Sequence, residues 1–313
     1  MELKRWWMKA LFQKFLSMLP MGAHVNSAIS RMFAGHDSRV DLLTKIVPNL
    51  KRHLQAWDIY KGKRLDEITV LEIGTGWDLN TALLLHLWGV REVITVDIVR
   101  YVSFRHAVRG IRAIGEYIDR LKMPGVSGNE IESRCENLLR CRTLREITQK
   151  GNIRYIAPVS KPYREIESNL VDFWLSTAVF EHIAPADIER ILQHMMRVLK
   201  TGALVSHIID LKDHFAYFDR RLPYNHFLRF SEEAWEFWAG NSIAYTNRLF
   251  ARNYESLFSK YLKVIELVRV EEKQGEPLPM ELIDEELRQT PVEEFRIGEV
   301  QLVAKKHQEA VII

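Results

Sequence analysis

The run Val70-Leu71-Glu72-Ile73-Gly74-Thr75-Gly76-Trp77 decides the reading of this chain. An apolar, partly β-branched segment carries an acid, turns through Gly-x-Gly, and leads into the apolar stretch 78–88. A second apolar run, Glu92-Val93-Ile94-Thr95-Val96-Asp97, ends in a carboxylate 21 residues after Gly76. Glycine lets the backbone turn tightly and come close to a ligand, because no Cβ intervenes. Asp97, with Ile98 beside it, stands where a carboxylate can accept both hydroxyls of a ribose. Together these are the outline of a nucleotide-type site at the carboxyl edge of a parallel sheet.

A dinucleotide site calls for Gly-x-Gly-x-x-Gly, so that the following helix presents its amino end to a pyrophosphate. Here the third glycine position is Leu79, and Asp78 beside it would repel that anion. Glu72, in contrast, suits a cationic ligand: it can attract an α-ammonium group or fix the loop that holds it. The Glu-x-Gly-x-Gly pattern followed by Asp97 resembles the first two motifs of the class I S-adenosylmethionine-dependent methyltransferases. The family often has a third glycine two residues after the second, where this chain has Asp78. The resemblance implies S-adenosyl-L-methionine as cofactor, held around Glu72, Gly74, Thr75, Gly76, Trp77, Asp97 and Ile98. Trp77 either lines that pocket or packs helix against sheet.

The likeness extends over about residues 66–210 and is to small-molecule methyltransferases of the "type 11" kind. Val171-Asp172-Phe173-Trp174-Leu175-Ser176, followed by Thr177-Ala178-Val179-Phe180-Glu181-His182-Ile183, resembles their strand and Glu-His-Ile/Val motif. The resemblance places the backbone around Ser176 by the cofactor. It also implies an adenine-binding acid after the third strand. Here the chain reads Tyr155-Ile156-Ala157-Pro158-Val159-Ser160, so Ser160 is the residue expected to accept that hydrogen bond. The Asn/Asp/Ser-Pro-Pro-Tyr/Phe motif of amino-directed nucleic-acid methyltransferases does not occur at Ser176-Thr177-Ala178-Val179.

Methyl transfer from a sulfonium needs alignment of nucleophile and methyl carbon, and a hydroxyl acceptor also needs its proton removed. His182 is a candidate base, titrating near neutrality, or a loop-ordering histidine. Asp210, Asp213 and His214 form a second catalytic candidate group, which can orient substrate, act as base, cap a helix or hold a hard cation. With no third carboxylate placed, no metal is expected.

The chain has 313 residues, 47% of them hydrophobic, and a net charge of +3, too small for a general nucleic-acid binder. Residues 1–64 carry 12 Lys and Arg against 4 acids, a local excess that suits an anionic partner or simply solvated helix faces. Cys135 and Cys141 fit no zinc or disulfide framework, so a cytoplasmic protein is expected. Residues 3–19 predict an amphipathic helix with a tryptophan-bearing apolar arc, either lying on an anionic membrane surface or packed as a lid.

The expected architecture is a Rossmann-like, doubly wound α/β fold with a seven-stranded, mostly parallel sheet. Strands are predicted at 68–73, 92–97, 152–157, 170–176, 203–210, 262–270 and 298–305, and helices at 78–88, 101–120, 185–199 and 249–260. The methyltransferase resemblance implies one antiparallel strand in the last pair. A basic helical extension (1–64) precedes the core (65–210), which holds an insertion at 121–151 with a helix around 129–149. Residues 211–248, dense in aromatics and histidines, are expected to cap the substrate or to form a small core of their own. Residues 249–313 return to the sheet, with an acidic excursion at 271–299. The predicted function is methylation of a small-molecule or glycan acceptor, at oxygen. The alternatives are a membrane-associated scaffold with a degenerate pocket and a nicotinamide oxidoreductase.

Overall fold

The computed structural model describes residues 5–22, 25–26, 38–121, 125–160, 163–273 and 275–307. Residues 3–4 of the expected first helix, further parts of the 1–64 extension and residues 122–124 of the expected insertion lie outside them. The strands are β1 (Thr69–Ile73), β2 (Glu92–Val96), β3 (Ile153–Ile156), β4 (Val171–Thr177), β5 (Leu199–Asp210), β6 (Leu262–Glu271) and β7 (Ile297–Lys306). They form one sheet in the order β3-β2-β1-β4-β5-β7-β6. Strands β1 to β5 pair in parallel, and β7 runs antiparallel to both β5 and β6.

The register explains the unbroken apolar runs. Val70 pairs with Val93 and Phe173, and these three side chains enter one apolar cluster. Leu71, Ile94 and Trp174, one position on, enter the cluster on the opposite face. Successive strand residues point to opposite faces, so a sheet covered on both sides needs apolar residues at every position.

Helices α1 (Trp6–Ser17), α2 (Val47–Tyr60), α3 (Asn80–Leu87), α4 (Phe104–Glu116), α5 (Gly128–Leu139), α6 (Leu144–Lys150), α7 (Pro185–Val198), α8 (Glu232–Ala239) and α9 (Ala251–Ser259) complete the described structure, with an α-helical turn at Ser38–Asp41, a π-helical turn at Leu42–Ile46 and short 3-10 turns. Helices α2 to α6 contribute to the first face, and α7 and α9 to the second. The single helix expected around 129–149 is two. Thr143 accepts a hydrogen bond from the Glu146 amide and starts α6 afresh. Helix α3 starts later than expected, at Asn80, because Leu79 takes a left-handed conformation with φ 57°.

The N-terminal residues are not all appended. Trp57 of α2 is fully buried against Phe173 of β4, their ring centroids 5.2 Å apart. His53 of α2 bonds Ser206 Oγ (2.8 Å) and Thr177 Oγ1 (3.1 Å) on the two central strands. The aromatics of 211–248 build a third cluster: Phe215, Phe227 and Trp235 pack with Ala10 of α1 and with Leu278, Ile283 and Phe295 of the acidic excursion. That is the small core allowed for this segment. Its far edge, residues 236–245, nevertheless borders the main cavity.

Candidate active site

An open cavity of about 650 Å³ lies at the carboxyl ends of β1, β2 and β4. Gly74, Gly76, Asp97 and Ile98 line one side, Thr177 to Val179 and His182 another, and Glu236, Asn241 and Tyr245 the edge of the 211–248 segment. Gly74 has φ +90°, and a Cβ there would sit 2.4 Å from Val179 Cγ2. The position therefore accepts only glycine, and the backbone forms the cavity floor. Asp97 accepts the Gly76 amide at 3.1 Å and the Val99 amide at 3.1 Å. A carboxylate offers about four lone-pair directions, so Asp97 keeps capacity for two hydroxyl donors. Burial raises its pKa, and the backbone amides partly oppose that.

Glu72 lies beneath the turn, buried, and does not line the cavity. Thr95 Oγ1 donates to it at 2.6 Å and meets Thr75 Oγ1 at 2.7 Å. Of the two roles open to Glu72, the geometry is that of fixing the loop. Burial pushes its pKa up to about 7. Trp77 is half-buried and outside the cavity wall. Asp78 is held by Arg109 at 2.5 Å beside the start of α3. That carboxylate and the buried Leu79 stand where a dinucleotide's pyrophosphate would need an open helix terminus.

Besides Glu72 and Trp77, the side chains of Thr75, Ser160 and Ser176 do not line the cavity; that of Thr75 is buried against Thr95. Ser160 is exposed and outside the wall, its amide donating to Glu165 at 3.0 Å; Val159 lines the cavity instead. Ser176 is fully buried, its hydroxyl bonded to His207 Nδ1 at 2.8 Å, because its place in β4 turns it into the sheet's packed side.

Of the four catalytic candidates, three converge. His182, in the cavity wall, has its ring 4.8 Å from that of His214, and His214 Nε2 lies 3.5 Å from Asp210 Oδ2. Asp213 does not join them. It is buried and accepts from His226 Nδ1 (3.1 Å) and the Phe215 amide (2.7 Å), which pins the 211–248 segment. The Tyr217 hydroxyl donates to Asp210 at 2.5 Å. Burial alone would raise the Asp210 pKa, but His214, Tyr217 and Lys212 outweigh it and hold it below the ordinary value. The His182 pKa is lowered by loss of surrounding water and by His214, although part of the ring stays open to the cavity.

Two residues join the site without a role assigned from the sequence: Glu181, within the Glu-His-Ile motif, and Tyr217, in the aromatic-rich segment. Glu181 is 1% exposed, and its pKa is raised well above the ordinary value by burial, with Asp210 and Glu299 adding to it. The loop carrying Glu181 and His182 is clamped. The Asn247 side chain donates to the carbonyls of Phe180 and Ile183, at 2.8 Å each, and its amide donates to Glu181 O at 2.7 Å.

Glycine turn after β1, acid after β2, and a parallel sheet closed by an antiparallel β7 now stand together. The fold is that of the class I S-adenosylmethionine-dependent methyltransferases. No protein-family model matches the chain, and no curated protein matches it in sequence. Among solved structures, it resembles a Methanosarcina mazei SAM-dependent methyltransferase at 15% identity, with 80% of this chain and 97% of that one covered and a TM-score of 0.44. It also resembles a Streptomyces coelicolor geranyl diphosphate C-methyltransferase (13% identity, 83% and 77% covered, TM-score 0.44). A third likeness is to a Haemonchus contortus phosphoethanolamine N-methyltransferase (14% identity, 82% and 53% covered, TM-score 0.45).

Proposed function

We propose that the protein transfers a methyl group from S-adenosyl-L-methionine to an oxygen of a small-molecule or glycan acceptor. The observation that carries this is the meeting, around one cavity, of the Gly74–Gly76 turn, Asp97 and His182. The turn brings backbone close to the cofactor, and Asp97 takes the ribose hydroxyls. The sulfonium leaves as a neutral thioether and needs no acid, so holding acceptor and methyl carbon in line supplies much of the rate. The acceptor's proton must also leave, and His182, His214 and Asp210 supply the chemistry for that. Asp97→Ala is expected to weaken S-adenosylhomocysteine binding by about 1.5–3 kcal/mol, the range for hydrogen bonds to a charged group. Calorimetry on the folded variant checks this, and unchanged affinity would remove the assignment.

We also propose that α1 rests on an anionic lipid surface. Its inner face packs through Ala10 and Leu16, while Trp7, Leu11, Phe12 and Phe15 are each more than 40% exposed. Such a row, on a segment with a local net charge of +8, has the make-up of an interfacial helix. Phe12→Ser combined with Phe15→Ser should reduce co-sedimentation with phosphatidylserine vesicles at least about tenfold, given the apolar area lost. Equal binding by both proteins would count against it. Cys135 and Cys141 are free and buried, which fits the proposed cytoplasmic location.

A further inference from the structure

Among the described residues, the ligand atoms of Glu181, His182 and His214 lie within 4.8 Å of one another. They come from two neighbouring strand ends. Glu181 and His182 sit on the 3-10 turn after β4, and His214 follows β5. Each has the surroundings of a ligand. Among the described residues, neither carboxylate oxygen of Glu181 has a well-formed hydrogen bond, and none of the groups acting on its charge is a cationic side chain. A carboxylate that deeply buried calls for a cation or a proton. His182 Nδ1 donates to the Tyr245 carbonyl at 2.9 Å, which fixes the tautomer and leaves Nε2 as a free lone pair. A backbone carbonyl in that role is what commonly orients a metal-bound imidazole. His214 Nε2 is buried with no hydrogen bond of normal geometry, only the long 3.5 Å ion-pair contact to Asp210 Oδ2, which it would give up for the metal. Asp210, 3.5 Å from it, adds a further negative charge.

We propose that Glu181, His182 and His214 bind one divalent metal ion, with open positions on the cavity side that take the acceptor's nucleophilic oxygen. Two imidazoles and one carboxylate favour a borderline ion such as Zn²⁺ or Fe²⁺ over Mg²⁺ or Ca²⁺. Metal–ligand bonds of about 2.0–2.2 Å need donor atoms about 3–4 Å apart, so the side chains close slightly on binding. The consequence for the reaction rests on the methyl-transfer reading. Coordination lowers the pKa of a bound hydroxyl, and with His182 and His214 engaged as ligands its proton passes to water rather than to either imidazole. An oxygen lone pair then forms the O–CH₃ bond as the S–CH₃ electron pair returns to sulfur, giving the neutral thioether. The metal keeps its charge, and no oxidant or reductant enters.

The test uses the full chain, stripped with chelator and titrated with ZnCl₂ alone and with CoCl₂ for its visible absorption. One ion per chain is expected, bound with submicromolar affinity. Glu181→Gln and His214→Ala should each weaken it by about 100-fold, at least the loss seen when a ligand's supporting residues are removed. S-adenosylhomocysteine affinity, measured on the same samples, should hold and shows that the variants are folded. No stoichiometric binding by the wild-type chain overturns the proposal, as does binding that both variants retain. Metal binding lost in the variants, in a chain that takes no S-adenosylhomocysteine, would support the metal site and count against the methyl-donor reading instead.

Discussion

Trp57→Ala is expected to destabilise the protein by about 3–5 kcal/mol in urea unfolding, the usual cost of deleting a buried large aromatic. Trp57 is fully buried, stacks at a tilt on Phe173, and donates its indole N–H to the Lys63 carbonyl at 2.9 Å. Its removal leaves a cavity between α2 and β4 that neighbouring side chains fill only in part. The effect should reach the site. One turn earlier, His53 bonds Thr177 and Ser206, and Thr177 lines the cavity. Weakened ligand binding should therefore accompany the lost stability. A cost below about 1 kcal/mol would mean that α2 is an attachment rather than part of the core layer.

The second large effect is a dependence of stability on pH set by Glu72. Its folded pKa, pushed up to about 7 by burial, stands above the unfolded value near 4.5. The stability it contributes is thus fully present below about pH 4.5. Between the two values the unfolded chain is ionised while the folded carboxyl keeps its proton, so stability falls as pH rises, and levels off above about pH 7. At about 1.4 kcal/mol per unit, the total is about 3 kcal/mol. Glu72→Gln, which cannot ionise, should match the wild type at pH 4 and exceed it by about that amount at pH 8.5. Unfolding curves at the two pH values measure this, and a constant offset between the proteins would show that the buried carboxyl is not protonated in the fold.

The parts of the molecule that were legible in the sequence are those written locally. Val70 to Ile73, Val93 to Val96 and Val171 to Leu175 are short, mostly apolar runs, and the first ends in the punctuating Gly74-Thr75-Gly76 turn. The break between α5 and α6 is written in Thr143-x-x-Glu146, a capping pattern. What was not legible depends on partners distant in the chain. Ser176 was placed by the cofactor because its strand was right, yet its orientation is set by His207, 31 residues on. Asp213 looked like a companion of Asp210 and His214, but His226 claims it. Glu181 gains its character only from burial, which no spacing reports.

The central claim is that the cavity at the Gly74–Asp97 edge binds the methyl donor. Calorimetric titration of the purified full chain with S-adenosylmethionine, S-adenosylhomocysteine and NAD tests it most directly. Binding of the first two with micromolar affinity, about −8 kcal/mol, and none of NAD is the predicted result. Absence of binding for both sulfur ligands to a folded chain would contradict it.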